Sequence, residues 1–217
     1  SDEQKTQFDA YFSMLIETNK QLNLTAITEE DEVVVKHFLD SVLPKDFFTQ
    51  NSSIVDIGSG AGFPAIPLKI MRPDLHIYMV DSLNKRVNFL DQVILQLKFE
   101  NTYAIHSRAE DFARKNREKY DFAVARAVAP LNTLVEYLLP LVKIGGYAVI
   151  YKSSKLDEEL KNAEKAIKIL GGKVEKIEEY SIAEGDLQRK VLFIKKVSNT
   201  PLKYPRDKNK PRLSPIN

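Results

Sequence analysis

Val55-Asp56-Ile57-Gly58-Ser59-Gly60-Ala61-Gly62-Phe63 reads as a buried strand that ends on an acid and runs straight into three alternating glycines. Ile54, Val55 and Ile57 are residues that a central parallel strand buries on both faces. Glycines at 58, 60 and 62 remove every second side chain, so the backbone can lie against a ligand. Pro64 then sits where a first helical turn tolerates a missing N–H. Strand, glycine loop and helix form a nucleotide-type binding corner. The dinucleotide fingerprint places its third glycine where this chain has Phe63. The phosphate loop requires Gly-Lys-Ser/Thr, and neither Lys nor Ser/Thr follows these glycines.

Outward from this corner, β and α patterns alternate. Strands are expected at 54–57, 76–81, 102–106, 121–125 and 147–151, with helices at 64–72, 84–98, 110–116, 131–142 and 155–170. Two last strands, near 173–181 and 189–197, flank Ala183-Glu184-Gly185-Asp186, which suits a hairpin. The order predicts an α/β, Rossmann-like, seven-stranded, mostly parallel sheet with a C-terminal antiparallel strand. Before it, Phe8, Tyr11, Phe12, Leu15, Ile16 and Leu22 recur at helical spacing over 3–22. Thr28 is placed to cap a second helix that stops near Pro44. The domain reading is a helical appendage at 1–45, a binding domain at 46–198 and a tail at 199–217.

The chain has 217 residues, 43% hydrophobic, enough for one α/β domain with its own core. It has no cysteine, which excludes disulfides, thiolate metal sites and a cysteine nucleophile. No basic-then-apolar leader and no membrane-length apolar run is read, so the expectation is a cytoplasmic protein without a membrane partner. The net charge of +2 hides an asymmetry. From Asn199 to Asn217, Lys203, Arg206, Lys208, Lys210 and Arg212 face Asp207 alone, so the tail carries +4 and the rest about −2. Four prolines break this tail, which therefore reads as unable to pack as helix or strand. It is either a solvated terminus or an arm for phosphates.

Ligands of such sheets bind outside the carboxyl ends of the strands. The first strand ends at Asp56 and the glycines. The second ends at Asp81, about 20 residues on, the spacing of an acid that accepts from ribose hydroxyls; the plainer role is a helix cap. After the third strand, Arg108-Ala109-Glu110-Asp111 either lies along an adenine or is an acidic first helical turn. Arg126, a lone cation at the end of the fourth strand, reads as a contact to cofactor or incoming phosphate rather than a structural ion pair. Lys85 and Arg86 open a helix against its dipole, which implies a pair with Asp81 or a nearby anion. His37, His76 and His106 lack metal-ligand spacing, so no metal is expected. His37, beside Lys36 and one turn before Asp40, is an exposed helix pair or a substrate contact.

The acid-x-Gly-x-Gly-x-Gly spacing resembles the class I methyltransferases that bind S-adenosylmethionine (SAM). The ordered set is more specific. It comprises Asn23-Leu24-Thr25-Ala26-Ile27-Thr28, His37-Phe38-Leu39-Asp40-Ser41, Asp56 to Pro64, Asp81-Ser82-Leu83-Asn84-Lys85-Arg86, Arg108-Ala109-Glu110, Arg126-Ala127 and Lys203-Tyr204-Pro205-Arg206. Together these resemble the bacterial small-subunit ribosomal RNA guanine-N7 methyltransferases, the glucose-inhibited-division B group. The resemblance implies SAM binding at Gly58, Phe63, Ala109, Glu110 and Arg126 and a methyl acceptor in 16S rRNA of the small ribosomal subunit; the reading of the loop and strand ends adds Asp56, Gly60, Gly62 and Asp81 to the cofactor set. Two departures stand out: Lys152-Ser153-Ser154 replaces the family's Lys-Gly, and Arg206 is not followed by Pro-Gly-x-Pro.

Guanine N7 already presents a lone pair, so no catalytic general base is expected. The chain lacks the cysteine of C5-pyrimidine methylases and any Pro-Pro loop of exocyclic-amine methylases. The RNA-facing cations are Lys36, Lys85, Arg86, Lys152 and the tail set Lys203, Arg206, Lys208, Lys210 and Arg212; a monomer is expected. Two other readings stand beside this one: a SAM-dependent small-molecule methyltransferase, and an RNA-binding protein that holds SAM as a structural ligand.

Overall fold

The computed structural model describes residues 1–152, 156–182 and 187–216. Contacts divide the chain into two compact units, Ser1–His106 and Ser107–Asn217.

In the first unit, α1 (Asp2–Leu22) starts on a capping box: Ser1 Oγ accepts from the Gln4 N–H while the Gln4 side chain takes the Ser1 amino group. It ends at Asn23 in the left-handed conformation. The second helix departs from expectation. Thr28 does not cap it; Glu29 holds the cap position without a side-chain bond, and α2 (Glu30–Val33) passes into a π turn, Val34–Leu39, before α3 (Asp40–Val42). The widened turn coincides with outside contacts of His37, described below, and with the Ser41 hydroxyl bonded to the His37 carbonyl at 2.6 Å.

The alternating segments follow as β1 (Ser53–Ile57), α4 (Ala65–Met71), β2 (His76–Asp81), α5 (Asn84–Gln96) and β3 (Thr102–His106). The strands pair in parallel, Ser53↔His76 through Ile57↔Val80 and Ile77↔Thr102 through Asp81↔His106, so β1, β2 and β3 end together. Ile54, Val55 and Ile57 are buried, as a central strand requires. Arg72 ties the segment before β1 to the sheet. Its guanidinium donates to both Asp74 oxygens (2.8 Å each) and to the carbonyls of Lys45 (2.8 Å) and Phe48 (3.0 Å). That fork holds the Asp74 carboxyl down to about 2.

The second unit runs α6 (Ala109–Lys115), β4 (Tyr120–Arg126), α7 (Leu131–Leu138), a 3₁₀ turn at Leu139–Leu141, β5 (Val142–Lys152), α8 (Leu156–Ile169), β6 (Gly172–Ile182), β7 (Leu187–Lys196) and α9 (Lys210–Leu213). β4 and β5 are parallel, while β7 runs antiparallel to both β5 and β6. The sheet order is β3-β2-β1-β4-β5-β7-β6, a seven-stranded mixed sheet with one antiparallel strand. The expected hairpin loop, 183–186, lies outside the described residues. β5 is longer than expected, because Gly145-Gly146 continues the strand instead of preceding it.

The tail is packed, contrary to its sequence reading. Tyr204, Pro205 and Pro211 are buried, and residues 210–213 form a helical turn. Arg206 makes a forked pair with Glu136, a fully buried carboxylate of α7, through three side-chain bonds at 2.7–3.2 Å, and its backbone N–H adds a fourth at 2.8 Å. Thr133 Oγ1 donates to the Pro211 carbonyl, and Arg117 donates to the carbonyls of Thr200 and Tyr204. A buried carboxylate needs such a partner, so the prolines shape a docked strap.

Candidate functional site

In the first unit, β1 delivers Asp56, fully buried, to the mouth of the glycine loop. The loop is then tied to the end of β2. The Gly58 and Ser59 N–H groups both donate to the Val80 carbonyl (2.8 and 3.2 Å), and the Gly60 N–H donates to Asp81 Oδ2 (2.9 Å). Inside the loop, Gly62 N–H donates to the Ser59 carbonyl at 2.7 Å, and Ser59 Oγ to the Asp56 carbonyl at 3.0 Å. Gly60 has φ +58°, and a Cβ built there meets no protein atom closer than Gly58 O at 3.9 Å. Gly62, at φ +103°, is the opposite: a Cβ would lie 2.5 Å from Ile66 Cγ1. One glycine opens space; the other fills a tight one.

Asp81 is almost wholly buried. Its Oδ1 accepts from the Leu83 N–H at 2.9 Å, which serves the start of α5, and Arg86 lies 3.5 Å from Oδ2. Of the two sequence explanations for Arg86, the structure contains the local pair. A carboxylate has about four lone-pair positions, so Asp81 keeps acceptor capacity beyond these bonds. Lys85 is exposed at the start of α5, and Lys36 pairs with Glu32 one turn before it.

Phe63 is buried beneath residues from the N-terminal segment. His37 stacks on it with ring centroids 4.4 Å apart, and His37 Nε2 and Thr25 Oγ1 are hydrogen-bonded at 2.8 Å. Asn19 holds Thr25 in place through both its carbonyl and its N–H. His37 is therefore half-buried against the loop, not an exposed helix pair. Thr25 and Tyr11, whose hydroxyl reaches the Ala61 carbonyl at 2.6 Å, were absent from the sequence-derived site.

The second unit carries the remaining candidates. Ala109 and Glu110 open α6 with Arg108 at the cap position, an acidic first turn. Glu110 is buried and lies 3.5 Å from Arg108 Nε. Burial, with the Glu110 and Glu136 carboxylates, pushes the nearby Tyr137 phenol up. Arg126 ends β4 half-buried, opposite Tyr151 of β5. Lys152 is nearly buried and donates to Glu159 (2.6 Å) and the Ala129 carbonyl (3.0 Å). In the tail, Arg206 is committed to Glu136 and Lys203 lies over the Tyr204 ring, while Lys208, Lys210 and Arg212 are exposed. Among the described residues there is no group of three or more His, Asp or Glu able to hold a metal ion, and no helix is long and apolar enough to cross a membrane.

A family model described as GidB, rRNA small subunit methyltransferase G, matches residues 4–199. The chain belongs to this family. It is 47% identical over 219 residues to the ribosomal RNA small subunit methyltransferase G of Alkaliphilus metalliredigens, covering 99% of this chain and 92% of that protein. It is 50% identical over 217 residues to the protein of the same name from Lachnoclostridium phytofermentans, covering 98% and 90%. Among solved structures, it is similar in fold to a SAM-dependent methyltransferase from Aquifex aeolicus, with TM-score 0.53 and 17% identity over 76% of this chain and 93% of that one. M. jannaschii TYW2 in complex with AdoMet superposes with TM-score 0.58 and 16% identity over 74% and 76%. At these identities the structural likeness concerns the fold.

Proposed function

We propose that this enzyme transfers a methyl group from SAM to N7 of a guanine in 16S rRNA of the small ribosomal subunit, acting as a cytoplasmic monomer. The observation that carries the reading is the family match across residues 4–199, and it is supported by the glycine loop, Asp81, Arg108-Ala109-Glu110 and Arg126 lying at or just after the ends of β1, β2, β3 and β4. The glycine loop fits the cofactor on physical grounds: Gly60 leaves open the space a side chain would fill, and Asp81 retains acceptor capacity beside it. Asp81 would receive the ribose hydroxyls, while the Gly58–Gly62 backbone lies against the ligand. Asp56, Phe63, Ala109, Glu110 and Arg126 complete the proposed cofactor set.

When bound, SAM supplies a sulfonium methyl, which the N7 lone pair takes as the carbon–sulfur bond breaks toward sulfur. The guanine gains the positive charge that sulfur loses. No proton leaves N7, so the chain needs to orient and desolvate rather than deprotonate. A carboxylate or carbonyl near the purine would favour the developing cation.

Residues 1–45, 46–198 and 199–217 divide the work in this reading: substrate-facing helices, cofactor domain and cationic strap. The phosphate-facing cations in this reading are Lys36, Lys85, Lys203, Lys208, Lys210 and Arg212, while Arg86, Lys152 and Arg206 are engaged by Asp81, Glu159 and Glu136. Because Arg206 and Tyr204 hold the strap down, truncation would confound binding with folding. The test replaces only Lys203, Lys208, Lys210 and Arg212 with Gln and measures small-subunit binding and methylation across a salt series. For every phosphate on a single strand that these cations neutralise, the slope should flatten by roughly 0.7. An unchanged slope and an unchanged rate would remove the strap from the docking surface.

A further inference from the structure

We infer that Tyr11 is a positioning residue of the cofactor loop: its hydroxyl sets the plane of the Ala61–Gly62 peptide, so that α1 is a working part of the SAM site. The inference rests on the SAM reading above. Tyr11 is fully buried and donates to the Ala61 carbonyl at 2.6 Å, a bond spanning 50 positions of sequence. The same oxygen lies 3.1 Å from where a Gly62 Cβ would stand, so hydroxyl and bare glycine are fitted to each other. The ring is clasped between Phe38 (5.5 Å, stacked) and Phe63 (5.7 Å), which fixes where the hydroxyl points.

The peptide needs an outside determinant. Rotating it changes Ala61 ψ and Gly62 φ, and glycine accepts either sign of φ. One bond within the loop opposes the flip, Gly62 N–H to the Ser59 carbonyl. The Tyr11 hydroxyl is the second restraint. Without it the Ala61 carbonyl is buried and short of a donor, and a flipped peptide becomes competitive. A flip also re-aims the Gly62 N–H and moves the backbone that the ligand lies against. A loop that is no longer preorganised binds its ligand more weakly.

Tyr11→Phe deletes the oxygen and keeps the ring. Leu15→Val, in the buried face of the same helix, lowers stability without touching the loop. SAM titration calorimetry should give about a tenfold weaker Kd for Tyr11→Phe and a wild-type Kd for Leu15→Val. With small subunits as acceptor, Tyr11→Phe should raise KM for SAM by a similar factor while kcat at saturating SAM stays within about twofold. In the ligand-free protein, amide exchange at Gly62 and Phe63 should accelerate about tenfold in Tyr11→Phe alone. A Kd within twofold of wild type with unchanged Gly62 exchange overturns the inference, as does an equal loss of affinity in Leu15→Val. If wild-type protein fails to bind SAM while Tyr11→Phe still accelerates Gly62 exchange, the SAM reading falls and the positioning of the loop stands.

Discussion

Two glycines of one loop should fail in opposite ways when each is replaced by alanine. At Gly62 the new Cβ meets Ile66 Cγ1 at 2.5 Å, Leu90 Cδ2 at 3.0 Å and Tyr11 Oη at 3.1 Å, at φ +103°. The backbone strain costs about 1–3 kcal/mol and the overpacking about 1–3 kcal/mol more. Gly60→Ala sits at φ +58° with its nearest neighbour, Gly58 O, at 3.9 Å, so only the left-handed conformation is charged, about 1–2 kcal/mol. At roughly 3 °C per kcal/mol for a chain of this size, Gly62→Ala should lower Tm by about 6–18 °C and Gly60→Ala by about 3–6 °C. For affinity the order reverses in meaning. The Gly60 methyl group projects into the space assigned to the ligand, so Gly60→Ala should keep a cooperative melt and bind SAM at least about tenfold more weakly. Differential scanning calorimetry and SAM titration on both variants decide it. Equal losses of Tm would refute the packing argument, and a wild-type Kd for Gly60→Ala would refute the placement of the ligand.

Arg126→Ala should retain a cooperative melt and lose most methyl transfer; a collapsed Tm with fully active residual enzyme would make Arg126 a structural ion-pair residue. Arg206→Met should cost about 3–5 kcal/mol in chemical denaturation, because Glu136 is left buried without its fork, and adding Glu136→Leu should recover much of that loss. Asp74 has its carboxyl lowered from 3.8 to about 2, chiefly by the hydrogen-bonded Arg72 guanidinium. Its contribution of about 2 kcal/mol is therefore full above pH 3.8 and is lost as pH falls toward 2. The stability gap between wild type and Asp74→Asn should shrink by about half between pH 6 and pH 3, and a gap constant over that range would contradict the assignment.

The parallel core was legible because its signals are local. Ile54, Val55 and Ile57 are apolar on both faces, and an acid and glycines mark where the strand stops. The position of Asp81 at the end of β2 was legible for the same reason, through its distance from the loop along the chain. The interactions that set the loop's shape were not. Tyr11 and Ala61 lie 50 positions apart, and an aromatic at helical spacing announces only a buried face. The π turn at Val34–Leu39 has no sequence signature either; it accompanies His37 bonding to Thr25 and stacking on Phe63. The packed tail did leave a signal. Glu136 interrupts the otherwise apolar stretch Leu134-Val135-Glu136-Tyr137-Leu138, and a buried acid there requires a cation from elsewhere in the chain. That cation is Arg206. At Gly145-Gly146 no strand was expected, because the fifth strand was read only from 147 to 151. The structure gives a strand in which a Gly146 Cβ would lie 2.3 Å from Asp121 O, so the glycine permits close backbone approach.

The central claim, methyl transfer to guanine N7 in 16S rRNA, is tested most directly by mapping N7-methylguanosine in 16S rRNA from cells lacking this protein. One such methylation should disappear, return with the wild-type chain and fail to return with Asp81→Ala. A 16S rRNA whose N7-methylguanosine is unchanged by the deletion would contradict it.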